Sequence, residues 1–386
     1  MTSPPLALYV HFPWCVSKCP YCDFNSHAVP GELPVARYLA AVEADLEAQA
    51  PWVTGRPIVS VFFGGGTPSL FAPETIARVL ASARRWLAFE PGAEITLEAN
   101  PGTIERGRFA GYREAGVNRV SLGAQSFDAA TLKVLGRIHS PQETRHAAEE
   151  LHAAGLANFN LDLMYALPGQ EPAAALADVD AALALGPAHL SHYQLTLEPG
   201  TLFAARPPAL PDEDAAHAML DACLERLAAR GFPRYEVSAY AREGHRCRHN
   251  LNYWEFGDYL GVGAGAHGKR SDAGSAVIVR TTRPREPRRY MSTAKQPPLA
   301  QEIGRDARPF EFLMNALRLR DGFARSLFEA RTGLDWSAID ARMTRLVARG
   351  LVELTATTCR PTRRGLDFLN ELLLEFLPES RAGAAG

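Results

Sequence analysis

Cysteine is scarce in this sequence and unevenly spread, with six residues in a chain of 386. Three of the six lie between positions 15 and 22, which does not match the disulfide framework of a small secreted protein. No apolar run approaches the roughly 18 to 20 residues of a membrane span. Residues 1–5 also lack the basic and apolar regions of a signal peptide. We therefore expect a soluble, cytoplasmic protein whose thiols stay reduced.

A surplus of positive charge is also missing, since the formal net charge is −2. Proteins that bind nucleic acids generally need a basic surface that displaces the counterions around phosphates, so no nucleic-acid partner is expected. No GxGxxG motif follows the first predicted strand, which argues against a dinucleotide-binding fold.

Apolar segments alternate with amphipathic segments through the first 205 residues. The apolar segments predict six strands, at about 6–12, 58–63, 94–99, 118–124, 159–164 and 190–197. Helical spacing follows at about 35–50, 73–88, 141–154 and 172–185, and a further helix after the third strand ends at residue 115. This alternation predicts an α/β fold with a parallel sheet, and we expect a partial (β/α)6 barrel. In such barrels the chemistry lies at the C-terminal ends of the strands.

The pattern changes after residue 205, where the predicted barrel (1–205) ends. We expect residues 206–300 to cap the barrel and to include a proline-rich linker at 283–300. Residues 301–378 predict helices and a hairpin, an α+β arrangement that resembles a winged helix, and 379–386 predict a disordered tail. Winged helices suggest DNA binding, but the net charge argues against it.

The clustered cysteines follow the first predicted strand and have the spacing Cys-x3-Cys-x2-Cys. Three thiolates this close together suit a shared metal centre. Structural zinc would need a fourth ligand, which His11 or His27 could supply. An iron–sulfur cluster normally takes four thiolates, so three would leave one iron open for chemistry.

Polar and glycine residues end the other predicted strands. Gly64, Gly65 and Gly66 lack a Cβ, so a ligand can approach the backbone closely, although a tight turn would also use glycine. Glu98 and Asp162 are carboxylates that could accept hydrogen bonds from hydroxyl or ammonium groups, or else form salt bridges at the barrel mouth.

These motifs together resemble a known family. The cysteine motif resembles that of the radical S-adenosylmethionine (SAM) enzymes. Five further segments, at 8–15, 63–68, 123–127, 160–165 and 167–170, resemble the oxygen-independent coproporphyrinogen III oxidase group. Within that group they resemble the haem chaperones. The resemblance implies that three cysteines bind three irons of a [4Fe–4S] cluster and that SAM chelates the fourth. The metal ligands implied are Cys15, Cys19 and Cys22, and the residues implied around SAM are Tyr9, Gly65, Gly66, Thr67, Glu98, Gln125, Arg137, Asp162, Thr196 and His267.

Two features separate the sequence from the oxidases. Phe24 stands where the oxidase pattern has a further cysteine, and only about five residues precede the first strand, where the oxidases have a long extension. Segment 249–254 matches the His-Asn-x-x-Tyr-Trp motif of the haem chaperones, which implies that His249 binds haem. A buried, hydrogen-bonded histidine is the other interpretation of that residue.

The environment of this motif suggests two further contacts with haem. His245, Cys247 and His249 alternate, so an extended chain would place them on one side. Seven basic residues could bind haem propionates or else form a solvated loop: Lys269, Arg270, Arg280, Arg283, Arg285, Arg288 and Arg289. No Cys-x2-Cys-His motif supports covalent c-type attachment.

The resemblance therefore implies a haem chaperone, in which a [4Fe–4S] cluster and SAM accompany the transfer of haem to an acceptor protein. The acceptor, which could be membrane-associated, and the electron donor stay unidentified. The alternative is the oxygen-independent coproporphyrinogen III oxidase reaction. Whether the protein is an enzyme depends on which of these activities it has.

Overall fold

The computed structural model describes residues 2–29, 31–102 and 107–378. The tail at 379–386, predicted to be disordered, lies outside the described residues. The first part of the chain contains β1 (Leu6–Phe12), β2 (Trp14–Cys15), β3 (His27–Ala28), α1 (Val35–Gln49), β4 (Ile58–Gly65), α2 (Pro73–Trp86), β5 (Phe89–Ala99), α3 (Phe109–Glu114), β6 (Arg119–Gln125), α4 (Ala129–Val134), α5 (Pro141–Ala153), β7 (Phe159–Tyr165), α6 (Pro172–Ala184) and β8 (His189–Gln194).

The remaining elements follow in two groups. The middle part contains α7 (Leu202–Ala205), α8 (Glu213–Ala229), β9 (Arg234–Glu236), β10 (Ala239–Ala241), α9 (Arg248–Trp254), β11 (Asp258–Val262), β12 (His267–Asp272), β13 (Val277–Thr282), α10 (Pro287–Thr293) and β14 (Leu299–Glu302). The last part contains α11 (Arg308–Ala316), β15 (Phe323–Ala324), α12 (Arg325–Thr332), α13 (Ser337–Ala348), β16 (Val352–Leu354), β17 (Thr358–Pro361), α14 (Arg363–Asp367) and α15 (Leu369–Leu374).

Within the described residues, twelve strands form one sheet in the order β14-β13-β12-β11-β1-β4-β5-β6-β7-β8-β10-β9. Every adjacent pair of strands from β11 to β8 in this order is parallel. The edge strands β14 and β9 do not pair with each other in the described part of the chain, so the barrel is open. The predicted α/β fold with a partial barrel is confirmed.

Strand β11 adds a parallel strand that was not predicted. It pairs with β1, so a segment from far along the chain completes the sheet beside the first strand. Glycine interrupts its apolar run, and the structure explains why, since a Cβ on Gly261 would overlap the backbone of His267. The close approach of β11 and β12 therefore weakened the hydrophobic signal that sequence reasoning depends on.

Helix α1 anchors the later segments to the barrel. Its apolar residues pack into the main core, while Asp45 on the same helix is fully buried. The Asp45 carboxylate pairs with Arg283 and accepts a hydrogen bond from the Tyr290 hydroxyl at 2.9 Å. The segment 283–300, predicted as a proline-rich linker, contains α10 and the start of β14, and this buried charge fixes it to α1.

The C-terminal part has a hydrophobic core of its own, which includes Phe312, Phe328 and Trp336. It consists of helices α11 to α15 around a small antiparallel sheet in the order β15-β17-β16, in line with the helices and hairpin predicted for 301–378. Phe256 belongs to the same core, so this part packs directly on the barrel extension. No described helix is both long and apolar enough to cross a membrane.

Candidate functional site

The three clustered cysteines lie in a loop directly after the first barrel strand. The short strands β2 and β3 pair in parallel and close the loop at its base. Within the loop, Lys18 Nζ donates hydrogen bonds to the carbonyl oxygens of Phe24 (3.2 Å) and Ser26 (3.3 Å). All three cysteines are free thiols with partial solvent exposure, so they are accessible to a metal centre.

The loop forms one wall of a cavity of about 840 Å³, which we call the cysteine cavity. The predicted site residues that line it are Cys15, Cys19, Cys22, Gly65, Gly66, Thr67, Glu98, Gln125, Arg137, Asp162 and Thr196. Several of these residues lie at or just after the ends of barrel strands, and the parallel sheet brings them together at one rim. Tyr9 and His267 do not line this cavity but another one.

The glycines after β4 allow the strand to pass close to the cysteine loop. Gly65 has φ +112°, and a Cβ there would lie 2.5 Å from the ring of His11. A Cβ on Gly66 would lie 2.5 Å from the carbonyl oxygen of Trp14. Close packing against His11 and Trp14 therefore already requires glycine at both positions. The absence of a side chain also leaves the backbone exposed to the cavity.

Two side chains donate hydrogen bonds to cysteine sulfurs. Thr67 Oγ1 lies 3.4 Å from Cys15 Sγ, and an Arg137 guanidinium nitrogen lies 3.7 Å from Cys19 Sγ. Asn100 connects the two donors, because its amide nitrogen donates to Thr67 (3.0 Å) and its oxygen accepts from Arg137 (2.6 Å). Asn100 was not among the predicted site residues, although its place at the end of a barrel strand was the signal that could have found it.

The arrangement fits a cluster better than a single ion. Across the described ranges, no three His, Cys, Asp or Glu side chains are placed to hold one metal ion. His11, one of the two residues proposed as a fourth zinc ligand beside His27, has both ring nitrogens in hydrogen bonds. In a [4Fe–4S] cluster each thiolate binds a different iron, so three separated thiols around one cavity, with donors to two sulfurs, fit that group.

Glu98 occupies the centre of the site. It lines the cysteine cavity and also both other cavities described below, and one carboxylate oxygen accepts a hydrogen bond from Gly65 N–H at 3.1 Å. Burial, with the nearby Asp162 carboxylate, raises the pKa of Glu98 to about 8. Burial also raises the pKa of Asp162, which accepts hydrogen bonds from Ser121 and Asn160. A cationic ligand here would stabilise the ionised carboxylates.

Replacing Glu98 by Gln is expected to flatten the pH dependence of stability. The folded pKa of about 8 lies above the unfolded value of 4.5, so the contribution of Glu98 is complete below about pH 4.5 and is lost as pH rises through 8. Urea unfolding of cluster-free protein at several pH values should show wild type losing several kcal/mol relative to the Glu98→Gln variant over that interval. Parallel pH curves for the two proteins would contradict this expectation.

Gln125 and Thr196 complete the rim of the cysteine cavity. Gln125 ends β6 with φ +67°, a left-handed conformation that is uncommon outside glycine, and its side-chain oxygen accepts a hydrogen bond from the Tyr193 hydroxyl at 2.8 Å. Such strain often accompanies ligand sites, because the surrounding structure must maintain it. Thr196 is exposed and donates to Glu198 at 2.8 Å, so it contributes a solvent-facing polar edge.

A second cavity, of about 810 Å³, lies beside the first and is lined by several aromatic side chains; we call it the aromatic cavity. Tyr9 and His267, predicted as SAM contacts, line this cavity instead. Tyr9 is turned away because its hydroxyl bonds to His11 Nδ1 at 3.0 Å. The aromatic cavity was not foreseen, since its walls come from the cysteine loop, α9, β12, β13 and α11.

His249 is placed differently from the prediction. It lies in helix α9 rather than on an extended chain, so the alternation argument that grouped it with His245 and Cys247 does not apply. Its Nδ1 lies 3.0 Å from Ser60 Oγ and its Nε2 lies 2.8 Å from the Tyr253 hydroxyl. Burial, together with the nearby Arg119, lowers the pKa of His249 to about 3. A small cavity of about 230 Å³ adjoins it, and neither nitrogen is free for a haem iron.

The predicted basic patch is not a patch in the structure. Lys269 is buried and pairs with Asp258 at 2.9 Å, and Arg283 is buried against Asp45. Arg280 pairs with Glu311. The basic residues were grouped by sequence, but their acidic partners come from three other elements, β11, α1 and α11. Only some of the set can therefore meet an anionic ligand.

Comparison with known proteins identifies the family. The model of the radical SAM superfamily matches residues 9–181, and the HemN C-terminal domain matches residues 303–368. The heme chaperone HemW of Escherichia coli K12 is 47% identical over 376 residues, which cover 97% of this chain and 99% of that protein. The chain belongs to the HemW family. The resemblance inferred from the motifs is confirmed.

Other relatives of the HemW family place the chain more broadly. A mouse protein, the mitochondrial radical S-adenosyl methionine domain-containing protein 1, is 37% identical over 97% of this chain and 87% of its own. The solved structure of coproporphyrinogen III oxidase (HemN) from Escherichia coli matches with a TM-score of 0.81 and 23% identity, over 97% and 90% of the two chains. This likeness shows a shared fold. Membership of the radical SAM superfamily implies a [4Fe–4S] cluster and SAM.

Proposed function

We propose that this protein binds haem and passes it to an acceptor protein, and that it holds a [4Fe–4S] cluster and SAM in the cysteine cavity. The observation that carries the proposal is the similarity to HemW chaperones over nearly the whole of both chains. We further propose that it acts in the cytoplasm, where the thiols of the cysteine loop stay reduced.

In this proposal Cys15, Cys19 and Cys22 each bind one iron. The cluster, when bound with SAM, supplies electron transfer and radical chemistry. Burial raises the pKa of the Cys15 and Cys22 thiols, so binding of iron must displace their protons. Thr67 and Arg137 donate hydrogen bonds to the sulfurs and orient them.

The rest of the cysteine cavity suits the polar groups of SAM. Glu98 and Asp162 can accept hydrogen bonds from ribose hydroxyls or an amino group, and each carries a raised pKa that a cation would relieve. Gln125 presents an amide held by Tyr193. The glycine backbone after β4 supplies close contacts without a side chain.

The oxidase reaction is the second candidate, favoured by the fold shared with HemN. Phe24 argues against it, because this residue stands where the oxidase pattern has a cysteine. Its side chain is 60% exposed and lines both the cysteine cavity and the aromatic cavity. A large apolar side chain at this junction provides a surface for a ligand but no acid or base for decarboxylation.

Anaerobically reconstituted protein is expected to bind haem at one equivalent per chain, with a saturating change in the Soret band. The haem should then move to the apo form of a b-type haem protein, and the rate should depend on the cluster and SAM. The same sample should not convert coproporphyrinogen III to protoporphyrinogen IX. Lack of haem binding by the wild-type protein, or turnover of coproporphyrinogen, would contradict the proposal.

A further inference from the structure

The aromatic cavity has the size and lining of a site for a large planar ligand. Its volume of about 810 Å³ lies within the range of about 300–1,000 Å³ that is usual for ligand pockets. Aromatic side chains from three segments line it: Phe24, Tyr253, Trp254, Phe256 and Tyr259. Flat aromatic rings pack well on a porphyrin face, and their polar tips can remain hydrated.

Two histidines line this cavity, and only one is available to a metal. The ring of His11 is buried and hydrogen-bonded at both nitrogens, to Tyr9 and to the carbonyl oxygen of Asn25. The ring of His267, at the start of β12, is exposed to the cavity and makes no hydrogen bond to any described residue. Partial burial, with Arg280 and Arg285 nearby, lowers the pKa of His267 and favours the neutral imidazole that binds iron.

Positive charge lies on the same side of the cavity as His267. Arg280 on β13 and Arg285 after it both line the cavity. Arg280 is shared with Glu311 and the Tyr259 hydroxyl, whereas no described carboxylate pairs with Arg285. The acidic lining residues Asp23 and Glu98 come from the cysteine loop and the barrel instead. An anionic group would therefore be stabilised at the β12–β13 side.

We propose that the aromatic cavity is the haem site, in which His267 is an axial ligand of the iron and Arg285, assisted by Arg280, binds the propionates. This inference rests on the proposed function and gives its haem a location. It replaces His249, whose ring nitrogens are both engaged in the protein interior.

The location also places haem next to the cofactor site. Five residues line both large cavities: Asp23, Phe24, Gly65, Glu98 and Trp254. The haem and the cysteine cavity thus share one wall, and Phe24, on the cysteine loop, lies in it. A change in the conformation of the cysteine loop would therefore alter the wall of the haem site directly.

The test is a haem titration of full-length, cluster-loaded protein, followed by the Soret band. The His267→Ala variant is expected to bind haem about tenfold more weakly and with a shifted band, and added imidazole should restore the wild-type spectrum. His217→Ala, on the exposed surface of α8, is the matched control and should behave as wild type. The intact cluster absorption of each variant reports that it has folded.

A second arm examines the propionates. Arg285→Gln should weaken binding of haem by about fivefold but leave binding of haem dimethyl ester, which lacks the charges, unchanged. Wild-type affinity and spectrum in His267→Ala, or loss of the Soret change only in His249→Ala, would overturn the assignment. If the wild type itself does not bind haem, the proposed function fails instead, so the two failures are distinguishable.

Discussion

A Cys19→Ser variant is expected to lose the iron–sulfur absorption after anaerobic reconstitution and, with it, any cleavage of SAM that the wild-type protein shows under the same conditions. Cys19 lies in the cysteine cavity with its sulfur 3.7 Å from the Arg137 guanidinium, and a serine hydroxyl, which stays protonated at neutral pH, is a much poorer iron ligand than a thiolate. Iron content, the visible spectrum and release of 5′-deoxyadenosine measure the loss.

Cys223→Ala provides the matched control for this experiment. Cys223 is also a free cysteine, but it is buried in α8 and does not line the cysteine cavity. The Cys223→Ala variant should bind iron, and cleave SAM, to the same extent as the wild-type protein. A Cys19→Ser protein that retained a full cluster would refute the assignment of the three thiols, whereas loss of iron in both variants would indicate general misfolding.

An Asp45→Asn variant is expected to lose about 3–5 kcal/mol in free energy of unfolding, because it leaves the buried Arg283 without its counterion. Asp45 also accepts hydrogen bonds from Gln49 (2.7 Å) and Tyr290 (2.9 Å), and its carboxylate accepts one from Gly263 N–H at 3.2 Å. One carboxylate therefore joins α1 to two segments that lie more than 200 residues later. Urea unfolding, monitored by far-UV circular dichroism, measures the change.

The neighbouring Glu43→Gln change is the control for the loss of charge alone. Glu43 lies two residues earlier on the same helix and pairs at the surface with Arg78 at 2.6 Å. An exposed pair of this kind contributes about 1 kcal/mol or less. Equal destabilisation by the two substitutions would show that the buried network around Asp45 is not what fixes the later segments.

The barrel could be predicted because each strand carries its own signal. Buried parallel strands such as β1 and β4 are continuous apolar runs, and their exits carry glycine or polar residues. The cysteine loop could also be predicted, because its three candidate ligands lie close together in the sequence. Asn100 directly follows β5, but its bonds to Thr67 and Arg137 depend on segments after three different strands meeting.

The second half of the site depended on contacts that a sequence does not display. His249 has the residue type of a haem ligand, yet Ser60, almost 200 residues earlier, bonds its ring in the interior. Lys269 and Arg283 suggested a basic surface until folding placed carboxylates beside them. The aromatic cavity likewise exists only because α9, β12, β13 and α11 converge on the cysteine loop.

The pairing of β11 with β1 has a consequence for synthesis on the ribosome. One edge of β1 stays unpaired until residues 258–262 have been made, so more than half of the chain emerges before the first strand is enclosed on both sides. Contacts of such long sequence separation form late. The loop that follows β1 therefore acquires its final support only after the middle of the chain has been made. Until then the free edge of β1 in the nascent chain is open to pairing with other chains, which makes this the stage most open to aggregation.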